Sequence, residues 1–400
     1  MCEEGGPSVV QGQYSHLRPF VARVLVPGLY VCLLLSALLA LGVAALIISV
    51  FWFLIVETER IPLKALVVML FVGVGGLYGA VLAVYAGWKA IGRATVQSHS
   101  ILIRPIQAPG LWNMLAELSR RMKIAIPDNI LVEFGASFYV TEANVSCFSG
   151  TVKGRSLCVS APLLHFLTPL ELKAVLAHEL SHFTGADTYY STRFYPVYRG
   201  TTVALRELYK LMDSKSEYER LMLLPQLLSV FLLEGYLRIF SNLERKISRE
   251  RETRADSVAA GVVGAEALGS ALKKVYGYGN LWSLGAEPSI LEALRQASVY
   301  PNLCDSFTEY ALQNPQLAEA LVVNSTYTPP HPTDAHPQLG ARLSALGVHR
   351  GFEAPTVHGP TAACLVPALR HLEEDLTALE TQLVARRHTG LTASSKVAQT

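Results

Sequence analysis

The sequence predicts an α+β protein, mostly helical. An N-terminal transmembrane hairpin precedes a domain built on a small β-sheet and a helix carrying His-Glu-x-x-His. Three observations predict it: two long uncharged stretches near the N-terminus, a group of short strand-like segments, and an amphipathic segment with its own start and stop signals. Composition agrees, since 51% of the 400 residues are hydrophobic and only 16% are charged, which is apolar for a soluble protein.

No charged residue occurs from Val24 to Val56, and Ala65 to Trp88 is a second uncharged run. Each exceeds the roughly 20 residues that cross a bilayer. Signal-peptide cores are shorter, so the pair reads as a hairpin over residues 21–88, with spans at about 24–56 and 65–88. Gly75, Gly79, Ala83 and Gly87 recur every four residues, a stripe suited to close helix contact. The cluster Gly73-Val74-Gly75-Gly76 lacks the Lys-Ser/Thr of a phosphate loop, so packing is its role. Arg18 and Arg23 precede the first run, and Lys89, Arg93 and Arg104 follow the second. The loop Glu57–Lys64 between them balances two cations with two acids. By the positive-inside rule both ends of the hairpin, including residues 1–20, lie in the cytoplasm.

Residues 89–110 read as a connector ending in Pro109-Gly110, and Leu111, Met114, Leu115, Leu118 and Met122 mark an amphipathic helix. Short strands are expected at Ile130–Val132, Phe138–Val140, Val145–Phe148 and Leu157–Val159. An edge strand of such a sheet can hold an extended peptide, but the spacing does not say which strand is the edge. Leu221 to Leu233 is apolar, interrupted by Pro225 and short for a span, so it reads as a buried helix, with a helix dipping into the bilayer beside the hairpin as the alternative. Residues 265–320 read as a helical insertion in a domain covering 89–350. A C-terminal helical segment follows over 351–388, and the polar tail 389–400 reads as disordered.

A net charge of +2 and the lack of a zinc-finger or arginine-rich pattern argue against nucleic-acid binding. The six cysteines form no C-x-x-C pair, which points to reduced thiols rather than a disulfide framework.

The chemistry lies in Val175-Leu176-Ala177-His178-Glu179-Leu180-Ser181-His182-Phe183. Thr168-Pro169-Leu170-Glu171 just before it is a capping box with proline at the first helical position. Residues four apart on a helix share a face, so His178 and His182 can offer two imidazole nitrogens to one zinc ion. Glu179 beside them can take a proton from water. A two-histidine site needs a third protein ligand. In Ser248–Asp256, Glu252 and Asp256 are four apart, so one can ligate while the other orients a histidine. Glu250 is the rival ligand, pointing roughly the opposite way.

In Leu172–Phe183, Ser248–Asp256 and His336-Pro337-Gln338-Leu339-Gly340-Ala341-Arg342, the chain resembles an HtpX-type membrane metallopeptidase. That family belongs to the gluzincin group, which includes the CAAX prenyl proteases. The resemblance implies a zincin-type protease domain with one zinc per chain, bound by His178, His182 and Glu252. It makes Glu179 the catalytic base, places His336 near the reacting carbonyl, and has Arg342 fix that segment. His331, in a second His-Pro pair, competes with His336. The implied protein is a multi-pass endopeptidase of the cell (inner) membrane, with its protease domain on the cytoplasmic side. Its substrates would be polypeptides, misfolded or unassembled membrane proteins among them. The alternatives are a CAAX-type protease acting on prenylated peptides and a membrane protein that binds peptides or partners without cutting.

Overall fold

The computed structural model describes residues 17–58, 63–91, 95–183, 200–210, 216–327, 337–348 and 359–388. In chain order the helices are α1 (Leu17–Thr58), α2 (Leu63–Ile91), α3 (Pro109–Met122), α4 (Pro169–Ser181), α5 (residues 200–210), α6 (Glu217–Leu223) and α7 (Leu227–Val263). They continue with α8 (Ala265–Arg295), α9 (Leu303–Gln313), α10 (Pro315–Tyr327), α11 (Leu339–Ala345) and α12 (Leu369–Arg387). The chain divides into two compact units, one of residues 1–94 with 189–247, the other of residues 95–188 with 248–400.

In the first unit, the two uncharged runs form α1 and α2. Their buried residues, Leu29, Leu33, Ser36, Ala40 and Ala44 on α1 with Val72, Leu82, Ala83 and Ala86 on α2, recur at helical spacing. The outward faces carry exposed Leu34, Leu38, Phe53, Leu70, Leu77 and Val84, an apolar exterior that only a bilayer satisfies. The glycines permit close approach to two partners. A Cβ on Gly76 would lie 2.6 Å from that of Ala44, and one on Gly75 would collide with the Met222 carbonyl oxygen.

Here the structure favours the second of the two readings of Leu221–Leu233, a helix at the bilayer, and makes it longer than expected. Glu217–Val263 is a third segment long and apolar enough to cross a membrane, beside Pro27–Glu57 and Leu63–Trp88. Pro225 does not end it, because the residue sits in a single 3₁₀ turn, Leu224–Gln226, at the start of α7, where a missing N–H costs little. Gln226 donates to the Gly75 carbonyl oxygen, and Ser229 donates to that of Ser36 at 2.8 Å, so polar side chains inside the apolar layer are satisfied.

The second unit holds two small sheets. β2 (Ser100–Ile103), β3 (Asn129–Glu133), β7 (Ser156–Ser160) and β4 (Tyr139–Thr141) form one, in that order. β3 and β7 run parallel, and the outer strands are antiparallel to them. β1 (Thr95–Gln97), β5 (Asn144–Cys147) and β6 (Gly150–Val152) form the other. Strand alternation sends Ile130, Val132, Leu157 and Val159 into the core with Leu111, Leu115, Leu118, Leu172 and Leu176. Leu131 and Cys158 face the other way, toward Val145. The stretch read as a connector, residues 89–110, thus contains two strands. Ser98 between the two strands and Ser100 at the start of β2 are buried, with the Ser98 hydroxyl 2.9 Å from Ser100 Oγ and 3.2 Å from the Glu133 carboxylate.

The motif helix α4 starts as its sequence demands. Thr168 accepts from the Glu171 N–H at 3.2 Å, and the Glu171 carboxylate accepts from the Thr168 N–H at 2.7 Å. The same carboxylate receives Ser270 at 2.6 Å and Lys274 at 2.8 Å from α8. Burial works against its charge, but these donors outweigh it and hold the carboxyl below the usual carboxylate range. Glu171→Gln is expected to cost about 1.5–3 kcal/mol, the worth of hydrogen bonds to a charged group. A depressed carboxyl contributes stability above its unfolded pKa of about 4.3 that is lost as pH falls toward the folded one. The gap between wild type and Glu171→Gln in thermal melts should therefore close on acidification below that value.

Candidate metal centre

α4 and the second half of α7 bring together residues distant in the chain. His178 Nε2 lies 3.3 Å from Glu252 Oε2, and His182 Nε2 lies 3.6 Å from Glu252 Oε1. One ligand atom from each of the three lies within 4.8 Å of the others, and all three side chains are buried. Donors about 2.0–2.1 Å from a small tetrahedral ion are about 3.3 Å from one another. The observed separations fit that edge, so these residues suit a shared metal ion better than direct hydrogen bonding.

Glu252 faces the histidines because α7 turns its i, i+4 face inward: Glu252 and Asp256 are 7% and 3% exposed, while Thr253 between them is on the surface. Asp256 Oδ1 lies 2.9 Å from His178 Nδ1, behind the nitrogen that faces Glu252. Arg342 of α11 grips Asp256 in turn, with Nε to Oδ2 at 2.8 Å and Nη2 to Oδ1 at 2.6 Å. A fork of this kind fixes the carboxylate in both distance and plane. The resulting chain runs Arg342, Asp256, His178. Arg342 is itself 8% exposed, and its own charge is strengthened by Asp256 against the opposing effect of burial.

Two carboxylates, Asp256 and Glu252, set the electrostatics of the imidazoles. Burial disfavours charge on His178, but Asp256 and Glu252, helped by Glu179, push its pKa up to about 9. Burial and then the His178 charge pull His182 down to about 3, which leaves a neutral imidazole of the kind metals bind. Glu179 occupies the turn between the histidines and is half-buried.

Residues 114–348 match Peptidase family M48, more than half of the chain. The chain belongs to peptidase family M48. Every residue singled out from the sequence for this centre falls within the matched stretch of this M48 chain. It is 27% identical over 198 residues to "Protease HtpX homolog" of Acaryochloris marina, covering 48% of this chain and 64% of that one. To "Protease HtpX homolog 1" of Streptomyces coelicolor it is 36% identical over 124 residues, 30% of this chain and 40% of that one. To the homolog of Paraburkholderia phytofirmans it is 26% identical over 229 residues, 54% and 77%. The chain thus spans less than two thirds of the first two relatives. No solved structure matches.

Of the residues expected at the site, the structure brings together His178, His182, Glu252, Asp256 and Arg342, with Glu179 on the same helix. Glu250, the rival ligand, is not in the cluster. His336 and His331 lie outside the described residues. The Arg342–Asp256 pair was not read from the sequence; its partners are 86 residues apart, and no spacing rule joins them. A second group with metal-capable side chains, His165, Asp305 and Glu373, was also missed. There His165 Nε2 approaches Glu373 Oε1 to 2.6 Å, and Asn302 holds the other oxygen at 2.9 Å. That is a hydrogen-bond spacing, shorter than two donors on one tetrahedral ion allow, and the knot ties α12 to α9.

Proposed function

We propose that this M48 chain is a zinc-dependent, membrane-anchored endopeptidase. The single observation that carries the reading is the convergence of His178, His182 and Glu252 at metal-ligand spacing, with Glu179 between the histidines. Two imidazoles and a carboxylate with a fourth position open are the donor set of a hydrolytic zinc site. When bound, zinc supplies Lewis acidity that polarises a carbonyl and acidifies water. Glu179 accepts the proton of the attacking water and delivers it to the leaving amine. Asp256 keeps the His178 ring in the orientation that aims Nε2 at the centre, and Arg342 keeps Asp256 in place. His336, by resemblance, donates to the oxygen that gains negative charge.

An extended substrate would add to β4. It is an outer strand of its sheet and a neighbour of α4. The opposite outer strand, β2, already receives the Phe148 N–H at its Ser100 carbonyl oxygen, 3.0 Å, and binds Ser149 through its Leu102 N–H, 3.1 Å. Backbone pairing tolerates many sequences, which suits turnover of misfolded or unassembled membrane proteins, the substrate class proposed here.

The test of the ligand set is metal content. Glu252→Ala is expected to purify with little zinc and no casein hydrolysis, whereas Glu250→Ala should keep both. The reverse pattern in metal analysis would reassign the third ligand.

A second expectation concerns topology. Residues 95–188 and 248–400 form one unit, so the chain between them must return to the side it left. The loop Thr58–Lys64 should then face away from the cytoplasm, with residue 395 and the peptidase unit inside it. Cysteine labelling in intact cells and in inverted vesicles checks this. Labelling of both positions from one side would overturn it.

A further inference from the structure

The first unit contains a cleft that the peptidase reading does not use. It is an open groove between α5 and the middle of α7, with about 620 Å³ of space, lined by Leu205, Leu237, Tyr209, Arg206, Lys210 and Arg238 among others.

Its depth follows from the neighbours of α7. That helix runs antiparallel to α1: Ser229 meets Ser36, and farther along Tyr236 lies 3.5 Å from where a Cβ on Gly28 would stand. Gly28 is next to Pro27, where the apolar span Pro27–Glu57 begins. Arg238, past Tyr236, is therefore level with the bilayer interface. α5 sits at the same height, because Ala204, Leu205 and Leu208 pack with Leu29, Leu33, Leu82 and Ala86.

The cleft is amphipathic in the sense a lipid requires. Leu205 and Leu237 belong to the apolar cluster that α1 and α2 share, while Arg206, Lys210 and Arg238 are exposed. Two of the three cations have carboxylate partners, Lys210 with Glu207 at 2.7 Å and Arg238 with Glu234 at 3.4 Å. Glu234 also accepts from Tyr209, so its charge is shared. Arg206 is exposed and, among the described residues, no hydrogen bond or ion pair is seen for it. Arginines at helix ends commonly sit at the interface without binding any particular lipid. What goes beyond that here is a groove, apolar side chains and an uncommitted guanidinium in one place, the combination found where basic pockets hold lipid headgroups.

We infer that this cleft seats the phosphate headgroup of an anionic phospholipid, with Arg206 as its principal contact and one acyl chain against Leu205 and Leu237. The inference rests on the membrane helices and not on the peptidase site.

The test uses the full chain in a mild detergent. Its melting temperature is followed as dioleoyl-phosphatidylglycerol, dioleoyl-phosphatidylcholine or free glycerol 3-phosphate is added. The wild type should be stabilised by the anionic lipid and not by the other two. Arg206→Gln should raise the half-saturating mole fraction of phosphatidylglycerol about five-fold, the effect of one interfacial cation. Arg206→Lys should restore most of it. Arg120→Gln, removing an exposed cation at the end of α3, is the charge control and should change nothing. Equal stabilisation by phosphatidylcholine, saturation by glycerol 3-phosphate alone, equal losses in Arg206→Gln and Arg120→Gln, or no lipid-dependent shift would each overturn the assignment. Because Arg206 is on the surface, its variants should fold. Their melting temperature without added lipid, matched to wild type, verifies this.

Discussion

Glu179→Gln is expected to retain its zinc and lose peptide hydrolysis by about 10²–10⁴-fold, the usual range for removing a general base. The substitution is close to isosteric and leaves the three clustered donors, His178, His182 and Glu252, untouched. What it removes is the capacity to accept a proton, since an amide oxygen is far less basic than a carboxylate. Melting temperature and metal content should match wild type, and the loss should fall on kcat, because no substrate contact is deleted. Metal analysis and steady-state hydrolysis of one fluorogenic peptide measure both. A metal-loaded Glu179→Gln protein with near-wild-type turnover would remove Glu179 from the reaction. An empty metal site would instead show that Glu179 supports the ligands.

The readable and unreadable parts of this chain divide by range of interaction. The motif helix was legible because Thr168, Pro169 and Glu171 encode its start within four residues, and the structure shows that cap closed. Glu252 was legible because a helix places it one turn before Asp256, and both are buried among the charged residues of Ser248–Asp256. The hairpin followed from uninterrupted apolarity. Features set by tertiary partners were not legible. β1 and β2 were hidden because Ser98 and Ser100 look like loop residues until Glu133 is placed beside them. The third apolar helix was read as short because Pro225 interrupts the run, a residue whose position in the first turn only the structure reveals. Lys274, 2% exposed, resembled any surface lysine until Glu171 was found opposite it.

Arg342→Leu is expected to have the largest effect on stability, and it separates holding a fold from holding a metal. Asp256 is 3% exposed and takes both bonds of the guanidinium fork. Deleting that partner strands a buried carboxylate, leaving it His178 at 2.9 Å among the described residues, a loss of about 3–5 kcal/mol. With Asp256 no longer held, His178 loses its orientation, and zinc affinity should fall by roughly 10–100-fold. Arg342→Lys should recover part of the stability but less of the affinity, since a point charge cannot reproduce the planar fork. The double variant Asp256→Leu, Arg342→Leu is the decisive arm. It removes both charges together, so most of the stability should return, while zinc affinity should stay low because nothing then orients His178. Chemical denaturation of the metal-free protein and competitive zinc titration read the two quantities separately. If the double variant recovered both, the chain Arg342, Asp256, His178 would be a structural tie with no part in holding the metal. If Arg342→Leu changed neither, the fork would contribute nothing to the site.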